Sequence, residues 1–148
     1  MAKAQLYTYC LQYVQARIAT AQAAITAAQF SANEEGKSSA GDKYETGRAM
    51  MQLEVEKNTS QLLQAKQLLQ LLTQMNTFHT SDMVQQGSLV NTSNGQYYLA
   101  IGAGLVTIDH QPYYVISMQS PIGALLKGKK IGDSFSFNGK KISILGLE

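Results

Sequence analysis

An apolar seam at heptad spacing, running through the first quarter of the chain, constrains its fold more than any other feature. Tyr7, Leu11, Val14, Ile18, Ala21, Ile25, Ala28 and Ala32 follow one another at alternating steps of four and three. That alternation keeps one side of an α-helix apolar and predicts a partner helix lying along it. Met51, Val55, Asn58, Leu62, Ala65, Leu69 and Leu72 repeat the pattern, with Asn58 as the one polar member. Neither segment contains proline, and the residues between seam positions are rich in Gln, Ala, Lys and Glu, which are good helix formers. A connection of about ten residues makes the helices antiparallel neighbours. Ile25 is then expected near Met51, Val14 near Leu62 and Leu11 near Ala65. With about 30 residues each, the helices reach roughly 45 Å. Leu6, Leu53, Leu63 and Leu68 widen the apolar stripe, which leaves an ordinary helical bundle as the alternative.

Past Phe78 the period changes. The runs "GSLVNTSNGQYYLAIG", "LVTIDHQPYYVISM" and "DSFSFNGKKISILGLE" are β-branched and aromatic, broken at Asn94-Gly95, at His110-Gln111-Pro112 and at Asn138-Gly139. Asn-Gly between alternating apolar residues signals a β-hairpin. Phe135 and Phe137 share a strand face that Ile142 and Ile144 meet from the returning strand. Between the strands, Ser120 reads as a helix cap, Pro121 as a first helical residue and Gly128 as a stop. The fold class expected is α+β: an N-terminal antiparallel coiled-coil hairpin over residues 1–78, with its tip at about 33–45, then a small antiparallel sheet domain with one short helix over 79–148. The boundary is expected near residues 77–86.

Composition narrows the partners. The 148 residues are 45% hydrophobic and 15% charged, a globular balance, and a net charge of +2 is too slight for bulk electrostatic binding to a phosphate backbone. A protein partner is expected rather than bare nucleic acid. The start has no apolar core of signal-peptide length and no run approaches a membrane span, so a cytoplasmic protein with no membrane partner is expected. Cys10, the single cysteine, has no neighbouring His and reads as helix packing or surface. His79 and His110 have no ligand at zinc spacing.

The candidate chemistry lies at the tip, in Gly41-Asp42-Lys43-Tyr44-Glu45. Asp42 at an N-cap with Glu45 three residues on is a capping arrangement that uses both carboxylates locally. The other reading is that the pair is meant for something beyond this chain, and Glu34 and Glu35 add negative charge near the same end that either solvates a turn or helps attract a divalent ion. Gly47 costs roughly 1 kcal/mol against alanine inside a helix, and so marks a close approach or a helix that starts later.

A hairpin with Gly-Asp-x-x-Glu at its tip, followed by a strand-rich domain containing "ISMQSPIGALLKGKKIGDSF", resembles the bacterial transcript-cleavage factors GreA and GreB. Ser120, Pro121, Ile122, Leu125, Leu126, Gly128, Lys129, Gly132 and Asp133 stand where that family carries a Ser-Pro to Gly-Asp segment in an FKBP-like C-terminal domain, although Lys127 intervenes in the family's Leu-Gly-Lys. After Glu45 the chain departs from the family's Asn-x-Glu-Tyr and reads Thr46-Gly47-Arg48, and the strand segment before residue 113 is short. Arg17, Arg48 and Lys57 are too scattered to form the basic face expected along such a hairpin. The resemblance is to a compact, divergent member.

The resemblance implies a factor whose C-terminal domain docks on RNA polymerase through Ser120, Pro121, Ile122 and Lys129, while the hairpin enters the secondary channel. Asp42 and Glu45 would supply catalytic carboxylates and ligate a Mg²⁺ shared with the polymerase active centre, in indirect contact with the RNA 3′ end. The polymerase would remain the enzyme and this chain, a monomer or weak oligomer, its cofactor. Two other readings stay open. A channel regulator that does not cleave is supported by the altered tip. An FKBP-type isomerase or plain interaction module is disfavoured by the absence of Trp and of an aromatic-lined pocket motif.

Overall fold

The computed structural model describes residues 2–38, 42–75 and 81–148, without the side chains of 32–38 and 42–45. It has two long N-terminal helices, α1 (Ala2–Ser38) and α2 (Asp42–Gln74). Strands β1 (Leu89–Thr92), β2 (Gly95–Leu99), β3 (Gly104–Ile108) and β4 (Gln111–Ile116) follow, then a short helix α3 (Pro121–Leu126), and strands β5 (Ser134–Phe137) and β6 (Lys140–Leu147). The chain is thus a helical hairpin followed by a small sheet domain with one short helix. Two compact units divide it within the helices: Tyr13–Gln70 forms one, and Met1–Gln12 with Leu71–Glu148 the other.

In the Tyr13–Gln70 unit the heptad seam is the buried side. Val14, Ala21, Ala28 and Ala65 are buried, while Ile18, Ile25, Met51, Val55, Leu62 and Leu69 are half-buried. Small residues at buried seam positions let two backbones approach closely. Asn58 is buried among them, and its amide donates to the Glu54 carbonyl at 2.9 Å and to Glu54 Oε1 at 3.3 Å. Its donor group is therefore satisfied inside its own helix. Leu53 and Leu63, read from sequence as widening the stripe, are 65% and 59% exposed, so the stripe is the narrow one of a helix pair. α2 starts at Asp42 and runs through Gly47 without a break.

In the other unit, six strands form one sheet in the order β3-β4-β2-β1-β6-β5. Four of its five pairings are antiparallel, but β2 and β4 run parallel, so the sheet expected to be antiparallel is mixed. The physical reason is that residues 100–103 carry the chain past one strand position. The tight β3–β4 hairpin then folds β4 back into the slot beside β2.

The turns follow backbone sterics. Asn138 and Gly139 both have positive φ, as a two-residue type I′ hairpin requires. Asp109 and His110 adopt the same geometry, one residue before the break expected at His110-Gln111-Pro112. In the first hairpin Thr92 pairs with Gly95, so Ser93-Asn94 are the loop residues, and Thr92 Oγ1 donates to the Gly95 carbonyl at 2.7 Å.

Alternation gives the sheet two covered faces. On one, Val90, Tyr97, Leu99 and Ile144 form a core with Val84 and with Leu126 of α3. On the other, Leu89, Tyr98, Val106, Tyr113 and Val115 are buried. Tyr98 interacts there with Tyr7 and Cys10, which places the first turns of α1 over this face. Leu6, Cys10 and Leu72 have no exposure at all.

Candidate partner-docking surface

Residues 117–133 are built by local hydrogen bonding. Ser120 is the N-cap of α3: its Oγ accepts from the Gly123 N–H at 3.1 Å and donates to the Ser117 carbonyl at 2.7 Å. Pro121 takes the first helical turn, where a missing N–H costs nothing, and is exposed. Gly123 is fixed by space, because a Cβ there would overlap the Ser117 carbonyl oxygen. Gly128 has φ +78 and ends the helix, as its place in the sequence predicts. The returning segment of residues 128–130 is pinned to Met83-Val84: the Val84 N–H donates to the Lys129 carbonyl at 2.8 Å, and the Gly128 N–H to the Val84 carbonyl at 2.9 Å. Asp133 then closes the next turn by accepting from the Lys130 N–H at 2.9 Å.

Four residues were expected to dock a partner, and their surroundings differ. Ser120 spends its hydroxyl on the cap, and Ile122 packs half-buried against the core. Pro121 is exposed and Lys129 is half-buried, with Lys127 and Lys130 exposed beside it. The sequence reading missed the apolar residues among these lysines. Met83 is 43% exposed and Ile131 60% exposed, and a cleft of about 330 Å³ lies between Met83 and Met118. The signal available was an apolar Ile131 set among lysines at a turn. This surface can offer a partner an apolar contact ringed by positive charge.

At the hairpin tip, Asp42 opens α2 and Glu45 follows three residues later, positions adjacent on a helix surface. The side chains of Asp42, Glu45, Glu34 and Glu35 lie outside the described residues, as does Gly41 entirely. Among the described residues no group of three or more His, Cys, Asp or Glu could hold a metal ion. Burial pushes the Cys10 thiol up to about 12, which disfavours the thiolate at neutral pH. Among the described residues no helix is long and apolar enough to cross a membrane.

The class that the fold defines is a two-helix hairpin joined to a small mixed sheet domain. No family model and no curated protein matches the chain. Among solved structures it is similar to one titled "Structure of the transcription factor Gfh1", at 17% identity over 95% of this chain and 92% of that chain, with a TM-score of 0.35.

Proposed function

We propose that this protein binds RNA polymerase, places its hairpin in the secondary channel and stimulates cleavage of backtracked RNA. The observation that carries the reading is the conjunction in one chain of two elements. One is Gly41-Asp42-x-x-Glu45 where the second of two long helices begins. The other is a sheet domain whose Ser120-Pro121 to Gly132-Asp133 segment forms a capped helix and tight turn, the segment that resembles the Gre factors.

In this reading the sheet domain holds the polymerase through Pro121, Lys129 and the apolar residues beside them. Asp42 and Glu45 are the donated carboxylates, and the donor set suits Mg²⁺, which takes one or two protein carboxylates and keeps several waters. The chemistry such an ion supplies is activation of the attacking water and stabilisation of the leaving oxygen. The bonds are broken in the polymerase active centre, so the chain is a cofactor and its place is the cytoplasm.

A second reading keeps the channel and omits the cleavage. Thr46-Gly47-Arg48 stands where Asn-x-Glu is expected after Glu45, with Ala49 at the expected Tyr position, and Gly47 lies inside α2. A tip of that composition would obstruct or modulate the polymerase without completing a metal site.

Binding is tested with the full chain labelled on Cys-free surface positions and titrated with core RNA polymerase. Pro121→Asp with Lys129→Glu is expected to weaken binding at least tenfold while the circular dichroism spectrum stays unchanged. A wild-type chain that does not bind core polymerase would remove both readings.

A further inference from the structure

The sequence carries Asn-Gly twice, at Asn94-Gly95 and Asn138-Gly139, and both pairs lie at hairpin turns of the same sheet. Such a pair is prone to lose the asparagine amide, because glycine has no side chain to keep its own nitrogen from the asparagine Cγ. The reaction needs a glycine nitrogen that is not engaged and an asparagine amide that can turn. The two hairpins differ in both.

In the first hairpin both groups are held. Gly95 pairs with Thr92 across the turn, so its N–H faces the Thr92 carbonyl. Asn94 is half-buried: its backbone N–H donates to Thr92 Oγ1 at 3.0 Å and its Nδ2 to the Tyr97 hydroxyl at 3.1 Å, while its Oδ1 accepts from Lys140 Nζ at 2.8 Å. Lys140 polarises that carbonyl, but no nucleophile is free to reach it. In the second hairpin the closing pair is Phe137↔Lys140, so Asn and Gly are both turn residues, and the Gly139 N–H takes no part in the ladder. Asn138 is exposed, and its side chain has no hydrogen bond among the described residues. β5 is a four-residue edge strand whose one neighbour in the sheet is β6. Its end opens locally at lower cost than the sheet interior, and opening lets the Gly139 peptide swing toward the Asn138 Cγ.

We propose that Asn138 is a site of spontaneous covalent modification, converting to aspartate and isoaspartate, while the fold protects Asn94. The Gly139 nitrogen bonds to the Asn138 Cγ and passes its proton through water to the departing amide. The Cγ–Nδ2 bond breaks, ammonia leaves and a cyclic succinimide remains. Water then opens the ring with no change of oxidation state. Breaking the new N–Cγ bond gives aspartate, and breaking the bond from the Gly139 nitrogen to the Asn138 backbone carbonyl carbon gives isoaspartate, whose main chain runs through Cβ and Cγ. Either product puts a carboxylate close to Lys140 and Lys141 and lowers the net charge of +2 by one. Isoaspartate also adds a backbone methylene to a turn built for two residues of positive φ, which unsettles the pairing of Phe137 with Lys140.

The test holds the full folded chain for days in warm, mildly alkaline buffer and follows both sites by peptide mass spectrometry, with isoaspartate identified by fragmentation. Asn138 is expected to convert at least tenfold faster than Asn94, with isoaspartate among its products. In denaturant the two sites are expected to convert at similar rates. Equal rates in the folded chain, or no conversion of Asn138 over a time in which the unfolded chain converts, would overturn the inference. So would the same tenfold preference in denaturant, because the preference would then lie in the neighbouring sequence and not in the fold.

Discussion

The Tyr7 hydroxyl donates to the Leu72 carbonyl at 3.0 Å across 65 residues of sequence, tying the second turn of α1 to the last turn of α2. That carbonyl lies in the last turn of its helix, where it also accepts from the Met75 N–H at 3.3 Å. Tyr7→Phe removes the bond and keeps the ring. It is expected to lower stability by about 1 kcal/mol in urea unfolding.

Tyr98 supplies the opposite case. It is fully buried, and its hydroxyl has no hydrogen-bond partner. Burying such a group without a partner costs about 1–3 kcal/mol, so Tyr98→Phe is expected to raise the unfolding midpoint rather than lower it. A loss of stability would mean that the hydroxyl is bonded in solution.

Cys10 and Tyr98 also set the alkaline limit. Burial raises both groups above their ordinary values, Cys10 from 9.0 to about 12 and Tyr98 upward from 10.0. Each releases its proton more readily when unfolded. Their contribution is therefore complete below pH 9 and lost as pH climbs toward 12. Stability followed against pH is expected to fall through that window, and Cys10→Ala is expected to flatten its lower part.

Gly123 can be tested by one methyl group. Gly123→Ala puts a Cβ against the Ser117 carbonyl and is expected to cost about 1–3 kcal/mol, seen as a lowered Tm. Ser120→Ala, which deletes only the cap, is expected to cost about 1 kcal/mol.

Much of this fold can be read from local chemistry. The described seam residues from Val14 to Ala65 are buried or half-buried because heptad spacing alone puts them on one side of each helix. Ser120, Pro121 and Gly128 act where their backbone preferences place them. The neighbours of a strand are another matter. Turn residues identify the β3–β4 hairpin but not that β4 inserts parallel to β2, since that depends on which edge is open when the hairpin docks. Leu53 and Leu63 misled for a related reason: an apolar residue off the seam is buried only if a third element covers it. Cys10 is covered by the sheet face around Tyr98, a long-range contact with no local signature. The candidate tip carboxylates are legible only as a motif, because Asp-x-x-Glu at a helix start serves capping and ion binding alike.

The most direct measurement is cleavage of RNA in backtracked elongation complexes, with Asp42→Asn and Glu45→Gln set beside wild type. Asparagine caps a helix about as well as aspartate, and glutamine keeps the capping box, so thermal stability is expected to be nearly unchanged. Both substitutions remove a charged oxygen donor. The expected result is that wild type stimulates cleavage in a Mg²⁺-dependent manner and that each variant loses at least tenfold of the stimulation while still binding polymerase. Variants that cleave as well as wild type, or a wild type that binds polymerase and never stimulates cleavage at any Mg²⁺ concentration, would contradict the cleavage role and leave Asp42 and Glu45 as helix caps.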